Sequence, residues 1–93
     1  MKPRDSETAV VRIRYFARLR EALSCSEEEL AIPAGVQTVG ELRKFLCSRE
    51  GPWARELAAG RPLLVAVNED MAGPDTPIGK GDTIAFMPPV TGG

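Results

Sequence analysis

The sequence contains no histidine, which removes the commonest general base and the commonest nitrogen ligand for zinc. Cysteine is nearly absent too: Cys25 and Cys47 are the only two, and they belong to no C-x-x-C unit. With no imidazole to depress a thiol pKa, they read as reduced structural residues rather than as a disulfide framework or a reactive pair. Metal and triad chemistry lose most of their candidates, and no metal site is expected. Also missing is any run near the ~20 apolar residues that span a bilayer, and the N-terminal MKPRDSETA has no signal-peptide core. The expectation is a soluble, cytoplasmic protein. Neither sign of charge dominates: 12 basic residues stand against 13 acidic ones, interspersed along the chain. That leaves no electrostatic footprint for nucleic acid or an anionic membrane. With 93 residues there is room for one core and little for an enclosed catalytic cavity on the order of several hundred Å³.

What is present is a succession of short periodic segments. Met1 to Ala9 read as a loose extension, and the folded domain is expected over residues 10–87. In AVVRIRYF, Val11, Ile13 and Tyr15 alternate with Arg12 and Arg14 at the period of a half-buried strand. The period then changes, and Phe16, Leu19 and Leu23 fall on one stripe of a short helix with Arg18, Arg20 and Glu21 toward water. SCSEEE ends it, and ELAIPAG is expected as the second strand, with Leu30 and Ile32 on one face. QTVGELRKFLCSRE is the strongest local signal. Thr38 and Glu41 form a capping box, in which Thr38 accepts from the Glu41 N–H and the Glu41 carboxylate reaches back to the Thr38 N–H. Val39, Leu42, Phe45 and Leu46 form the buried stripe of this main helix, which ends near Ser48 to Gly51.

GPWARELAAGRP reads as a connection with one helical turn, in which Trp53 and Leu57 reach the core edge together. LLVAVN suits a strand buried on both faces. NEDMAGPDTPIGKGD is turn-rich, with room for a very short strand around Met71. DTIAFMP is the last strand: Ile84 and Phe86 face the helix, while Thr83, Ala85 and Met87 face the opposite side. The predicted fold class is α+β, a mixed sheet with one main helix packed on one face and the other face open. In a small domain an open face suits a partner, and Met87 with Met71 offers it adaptable apolar contacts.

The sequence closes on FMPPVTGG. Pro88 and Pro89 fix φ and favour an extended path, whereas Gly92 and Gly93 pass where a side chain would clash. Residues 88–93 reach ~20 Å when extended, enough to enter a pocket of another protein. The carboxylate of Gly93, ionised at neutral pH, is a nucleophile toward the α-phosphate of ATP.

FMPPVTGG, together with YFARLRE, TVGELRKFL, VAVNED and GKGDTIAFMPPVTGG, resembles the small-subunit family of molybdopterin synthase, sulfur carriers of the β-grasp, ubiquitin-like superfamily. The resemblance runs over residues 10–93 and is most specific in PPVTGG. It implies a non-catalytic subunit with no permanently bound cofactor. In that family an adenylyltransferase related to ubiquitin-activating enzymes consumes ATP to adenylate the terminal glycine, here Gly93. A sulfurtransferase then converts it to a thiocarboxylate. The resemblance further implies that Pro88, Pro89, Val90, Thr91 and Gly92 set the path of the tail into the large subunit, with Met71 and Met87 docking the body. There the sulfur passes to cyclic pyranopterin monophosphate, in a heterotetramer of two small subunits at the ends of a large-subunit dimer. Two alternatives use the same ending: a sulfur carrier of the thiamine pathway, and a ubiquitin-like modifier joined to lysines. A β-grasp interaction domain with an inert tail is the remaining one.

Overall fold

The computed structural model describes residues 9–89. Within them the chain forms β1 (Ala9–Tyr15), α1 (Arg18–Leu23), β2 (Glu27–Ile32), α2 (Val39–Cys47), α3 (Pro52–Glu56), β3 (Leu64–Val67), β4 (Asp70–Ala72) and β5 (Thr83–Met87). The five strands make one mixed sheet in the order β2-β1-β5-β3-β4. Only the central pair, β1 with β5, is parallel; β1–β2, β3–β5 and β3–β4 are antiparallel. With α2 as the main helix on one face, this is the β-grasp arrangement that the sequence suggested.

Strand alternation divides the side chains as expected. Val11, Ile13 and Tyr15 of β1, Val65 and Val67 of β3, and Ile84 and Phe86 of β5 are buried. They meet Leu19 and Leu23 of α1, Val39, Leu42 and Leu46 of α2, and Leu57 just past α3 in one core. Burial of these apolar side chains, each worth about 1.5–3 kcal/mol, is what holds the helices on the sheet. Phe45, expected in the α2 stripe, is only half-buried.

The start of α2 is capped nearly as read from the sequence. The Glu41 N–H donates to Thr38 Oγ1 at 3.2 Å, but the Glu41 carboxylate takes its N–H from Gln37, at 2.7 Å, and not from Thr38. The next two N–H groups of the helix, those of Val39 and Gly40, donate to the carbonyls of Thr76 and Pro74. The β4–β5 loop therefore completes the helix N-terminus. Gly40 is required there: a Cβ on it would stand 3.1 Å from the Pro74 carbonyl oxygen.

Several segments depart from the sequence expectation. β1 takes in Ala9, the first residue of AVVRIRYF, so the folded domain starts one residue before position 10. β2 begins at Glu27, inside the SCSEEE read as a helix terminator. Glutamate is a poor strand former by itself, yet Glu27 and Glu29 face Arg14 and Arg12 across the β1–β2 ladder. The contacts are Arg12–Glu29 at 3.1 Å and Arg14–Glu27 at 3.6 Å, so cross-strand charge pairing takes the place of propensity. Phe16 does not join the α1 stripe. Ala17, at φ +55°, turns the chain through the left-handed region before the helix starts at Arg18, and Phe16 stays on the other side of the sheet. Leu64 opens β3 on the surface, so this strand is buried on both faces only from Val65 onward.

A second cluster fastens β2 to the helical side. Glu28 accepts from Tyr15 Oη at 2.8 Å and from both terminal nitrogens of Arg49 at 2.9 Å. Arg49 also lies over the Trp53 ring, 4.5 Å from its centroid, and Trp53 packs edge-on against Tyr15. Burial and the Glu28 contact together push the Tyr15 hydroxyl far above its usual range. For Glu28, burial favours the neutral acid, but the hydrogen bonds from Arg49 and Tyr15 and the Arg49 charge outweigh it, and its pKa is lowered. A carboxyl whose native pKa lies below its unfolded value adds stability that is complete above the unfolded value, near 4.5. That stability is lost as pH falls through the lower native one. Urea midpoints measured as pH is lowered from 6 should therefore fall below about pH 4.5, and Glu28→Gln should flatten that part of the profile. An equally steep profile in the variant would exclude Glu28 as the source.

Candidate functional site

The face of the sheet away from α2 is the candidate site. Its rows follow from the register. Arg14 pairs with Ala85, Ala85 with Ala66, and Ala66 with Met71, which puts all four on one line across four strands. In the next row Met87 stands opposite Leu64. Phe16, Ala66, Ala85 and Met87, together with Arg12, Arg14, Glu27, Asn68, Glu69 and Thr83, line an open concavity of about 500 Å³. Every large apolar side chain of the described residues that is markedly exposed belongs to this face: Val10 at 48%, Leu64 at 36% and Met71 at 64%. Apolar side chains exposed on one face and framed by charge are a usual form of protein-binding surface.

The frame is polar and charged on both sides. Arg12 and Arg14 are held by Glu27 and Glu29, and the Arg14 guanidinium lies 5.0 Å from the centroid of Phe16. On the other side, Asn68 donates to Asp82 and accepts from the Thr83 N–H. Asn68 and Glu69, at φ +51° and +77°, form the two-residue turn between β3 and β4 that puts Met71 at the sheet edge.

Met87 lines the concavity and Met71 lies on the same face, as expected, although Met71 is separated from the concavity by Ala66. β5 ends at Met87, and Pro88 and Pro89 follow outside the ladder, both half-buried. Proline has no N–H to continue the pairing, so the strand stops where the proline pair begins. Val90, Thr91, Gly92 and Gly93 lie outside the described residues. Sequence reasoning missed Phe16 and Leu64. Tyr15 and Phe16 are adjacent aromatics, and strand alternation continued for one more position would have sent them to opposite faces.

Neither cysteine has the surroundings of a reactive thiol. Both are free and half-buried. Burial pushes the Cys25 thiol up, and the Cys47 thiol donates to the Leu57 carbonyl at 3.1 Å. Among the described residues no three side chains of metal-binding type come together, and no helix is long and apolar enough to cross a membrane.

Residues 13–93 match the ThiS family. A protein of Escherichia coli (strain K12) named molybdopterin synthase sulfur carrier subunit is 38% identical over 84 residues, covering 90% of this chain and 100% of that protein. Among solved structures, the fold is shared with the HVO 2177 protein of Haloferax volcanii at a TM-score of 0.79, with 24% identity over 100% of this chain and 94% of that one. It is also shared with a chain in the complex of subunits 1 and 2 of the molybdopterin-converting factor of Helicobacter pylori 26695. There the TM-score is 0.57 and the identity 28%, covering 90% of this chain and 99% of that one.

Proposed function

The chain belongs to the ThiS family, and from that premise we propose that it is the sulfur-carrier subunit of a molybdopterin synthase. The reading is carried by its 38% identity to a protein of that name across that protein's whole length. Gly93 is the reacting residue. Its carboxylate attacks the α-phosphate of ATP held by a ubiquitin-activating-type adenylyltransferase, pyrophosphate leaves, and an acyl-adenylate forms. Sulfur from a sulfurtransferase, brought to the level of sulfide by a thiol reductant, then attacks the acyl carbon; the C–O bond to AMP breaks, AMP leaves, and a thiocarboxylate remains. The nucleotide belongs to the activating partner, so the carrier keeps no cofactor of its own.

The second partner is the large subunit, a role supported by the two-subunit complex in which the Helicobacter pylori relative is found. Met87, Leu64, Phe16 and Met71 dock the body of the carrier on it. Pro88, Pro89, Val90, Thr91 and Gly92 lead the tail to the pocket where cyclic pyranopterin monophosphate receives the sulfur. The concavity on the carrier is open and has no histidine beside it, which suits a donor subunit whose partner supplies the catalytic pocket.

The test is the intact mass of the protein isolated from its own host, or after incubation with the activating enzyme, ATP and a sulfur source. The expected result is a gain equal to the difference between a sulfur and an oxygen atom, reversed on turnover with the large subunit and the pyranopterin. High-mass adducts that survive thiol treatment would point to a protein modifier instead. A mass that never changes under the complete mixture would refute the carrier reading.

A further inference from the structure

Beside the root of the tail the domain holds a charge arrangement that the sulfur-carrying chemistry does not use. Glu56 is the one buried charged residue among the described residues. Its carboxylate is shared by three guanidiniums: Arg61 at 3.1 Å, Arg55 at 3.4 Å and Arg18 at 3.9 Å. The side chains of Arg55 and Arg18 are 63% and 58% exposed. With Arg20 and Glu21 on the outer surface of α1, four positive charges here face two negative ones, in a chain whose net charge is −1.

The topology puts this cluster where the tail begins. β1 and β5 run parallel, so the last residue of β1, Tyr15, pairs with Phe86, one residue before the end of β5, and the Phe16 N–H donates to the Phe86 carbonyl. Arg18 is two residues beyond Phe16. Arg61 precedes Leu64, which pairs with Met87. The segment from Arg61 to Leu57 is pinned by Arg43, whose guanidinium donates to the carbonyls of Leu57, Ala58 and Arg61. One carboxylate thus gathers three like charges on a braced surface, which lowers the ordering cost of meeting an anionic partner.

We propose that Arg18, Arg55 and Arg61 form a cationic collar at the base of the tail, which engages carboxylates on the protein that receives the tail. The proposal rests on the carrier reading above and adds to it the chemistry of the receiving surface: an acidic rim around the mouth of its pocket. Exposed complementary charge acts mainly on the association rate and its salt dependence.

The experiment is stopped-flow association of the full chain with the molybdopterin synthase large subunit of the same organism, from low to high ionic strength. Arg55→Glu is compared with Lys80→Glu. The charge change is the same, but Lys80 lies by the start of β1, where the Gly81 N–H donates to the Val10 carbonyl, at the far end of the sheet from the tail. Arg55 is the most exposed of the three, so its replacement leaves Arg18 and Arg61 on Glu56; circular dichroism and the melting temperature verify the fold. Arg55→Glu should slow low-salt association about tenfold and Lys80→Glu less than twofold, with the gap closing at high salt. Equal effects of the two variants, or a wild-type rate indifferent to salt, overturn the collar while leaving the carrier reading intact. Inhibition by millimolar phosphate beyond that of chloride at equal ionic strength identifies a small-anion site and overturns it as well. Failure of the wild type to bind at all removes the carrier reading and the collar with it.

Discussion

Deleting Gly93 should reduce sulfur transfer by about 10²-fold or more while the melting temperature stays where it was. The deletion does not remove a carboxylate, since Gly92 would then carry one of the same chemical kind. What changes is reach: the reacting group retreats by one residue, about 3.3–3.6 Å. Displacement of a reacting atom by even about 1 Å costs on the order of 10²-fold in rate. Adding one residue after Gly93 has the complementary defect, because the Gly93 carbonyl becomes an amide and the new carboxylate overshoots. The core is built from residues between Val11 and Phe86, so neither change touches it, and stability should move by less than about 0.5 kcal/mol. Single-turnover sulfur transfer and thermal denaturation of the same samples provide the comparison. A deletion variant that transfers within tenfold of the parent would refute the terminal-group mechanism, and one that unfolds would show that the tail is structural.

Phe86→Ala and Met87→Ala should separate almost completely in their effects, although the residues are neighbours. Phe86 is fully buried, stacked near Tyr15 at 6.1 Å between ring centroids, and its loss leaves a cavity costing about 3–5 kcal/mol. That is a large share of the roughly 5–15 kcal/mol that holds a domain together. Met87 points to the open concavity, so its truncation should cost less than about 1 kcal/mol of stability. It should weaken binding to the large subunit at least about tenfold, as loss of a well-packed interface residue does. Urea unfolding and equilibrium binding measured on both variants decide the matter. Full binding by Met87→Ala would exclude this face from the interface.

The parts of the fold that were legible in the sequence are those fixed within one or two turns of chain. The alternation of Val11, Ile13 and Tyr15, the Thr38 cap, the stripe of Val39, Leu42 and Leu46, and the two faces of β5 needed only local spacing. What escaped depends on distant residues. Glu27 and Glu28 enter a strand because arginines stand opposite one and Arg49 reaches the other. Phe16 leaves its helical stripe because Ala17 takes a left-handed turn. Leu64 is exposed because its partner across the ladder is Met87 and the row lies on the uncovered side. The bond from the Gln37 N–H to Glu41 in place of the Thr38 N–H is a displacement of one residue within a cap correctly located. At the site, Met87 was readable from alternation, whereas Phe16 and Leu64 come together only through the sheet order, and Arg18 joins Arg55 and Arg61 on Glu56 only through the α1–α3 packing.

The parallel pairing of β1 with β5 has a consequence for how the protein is made. Position 12 is joined to position 83 at the centre of the sheet, so the contact that organises the whole fold spans nearly the entire chain. Such long-range pairing is slow to form and is worth little until both strands are present. A chain ending before Thr83 would lack its central strand, leaving β1 and β3 each without a neighbour. The last strand to be synthesised is therefore the one that closes the middle of the sheet, and the chain must run through β5 before β1 and β3 are joined.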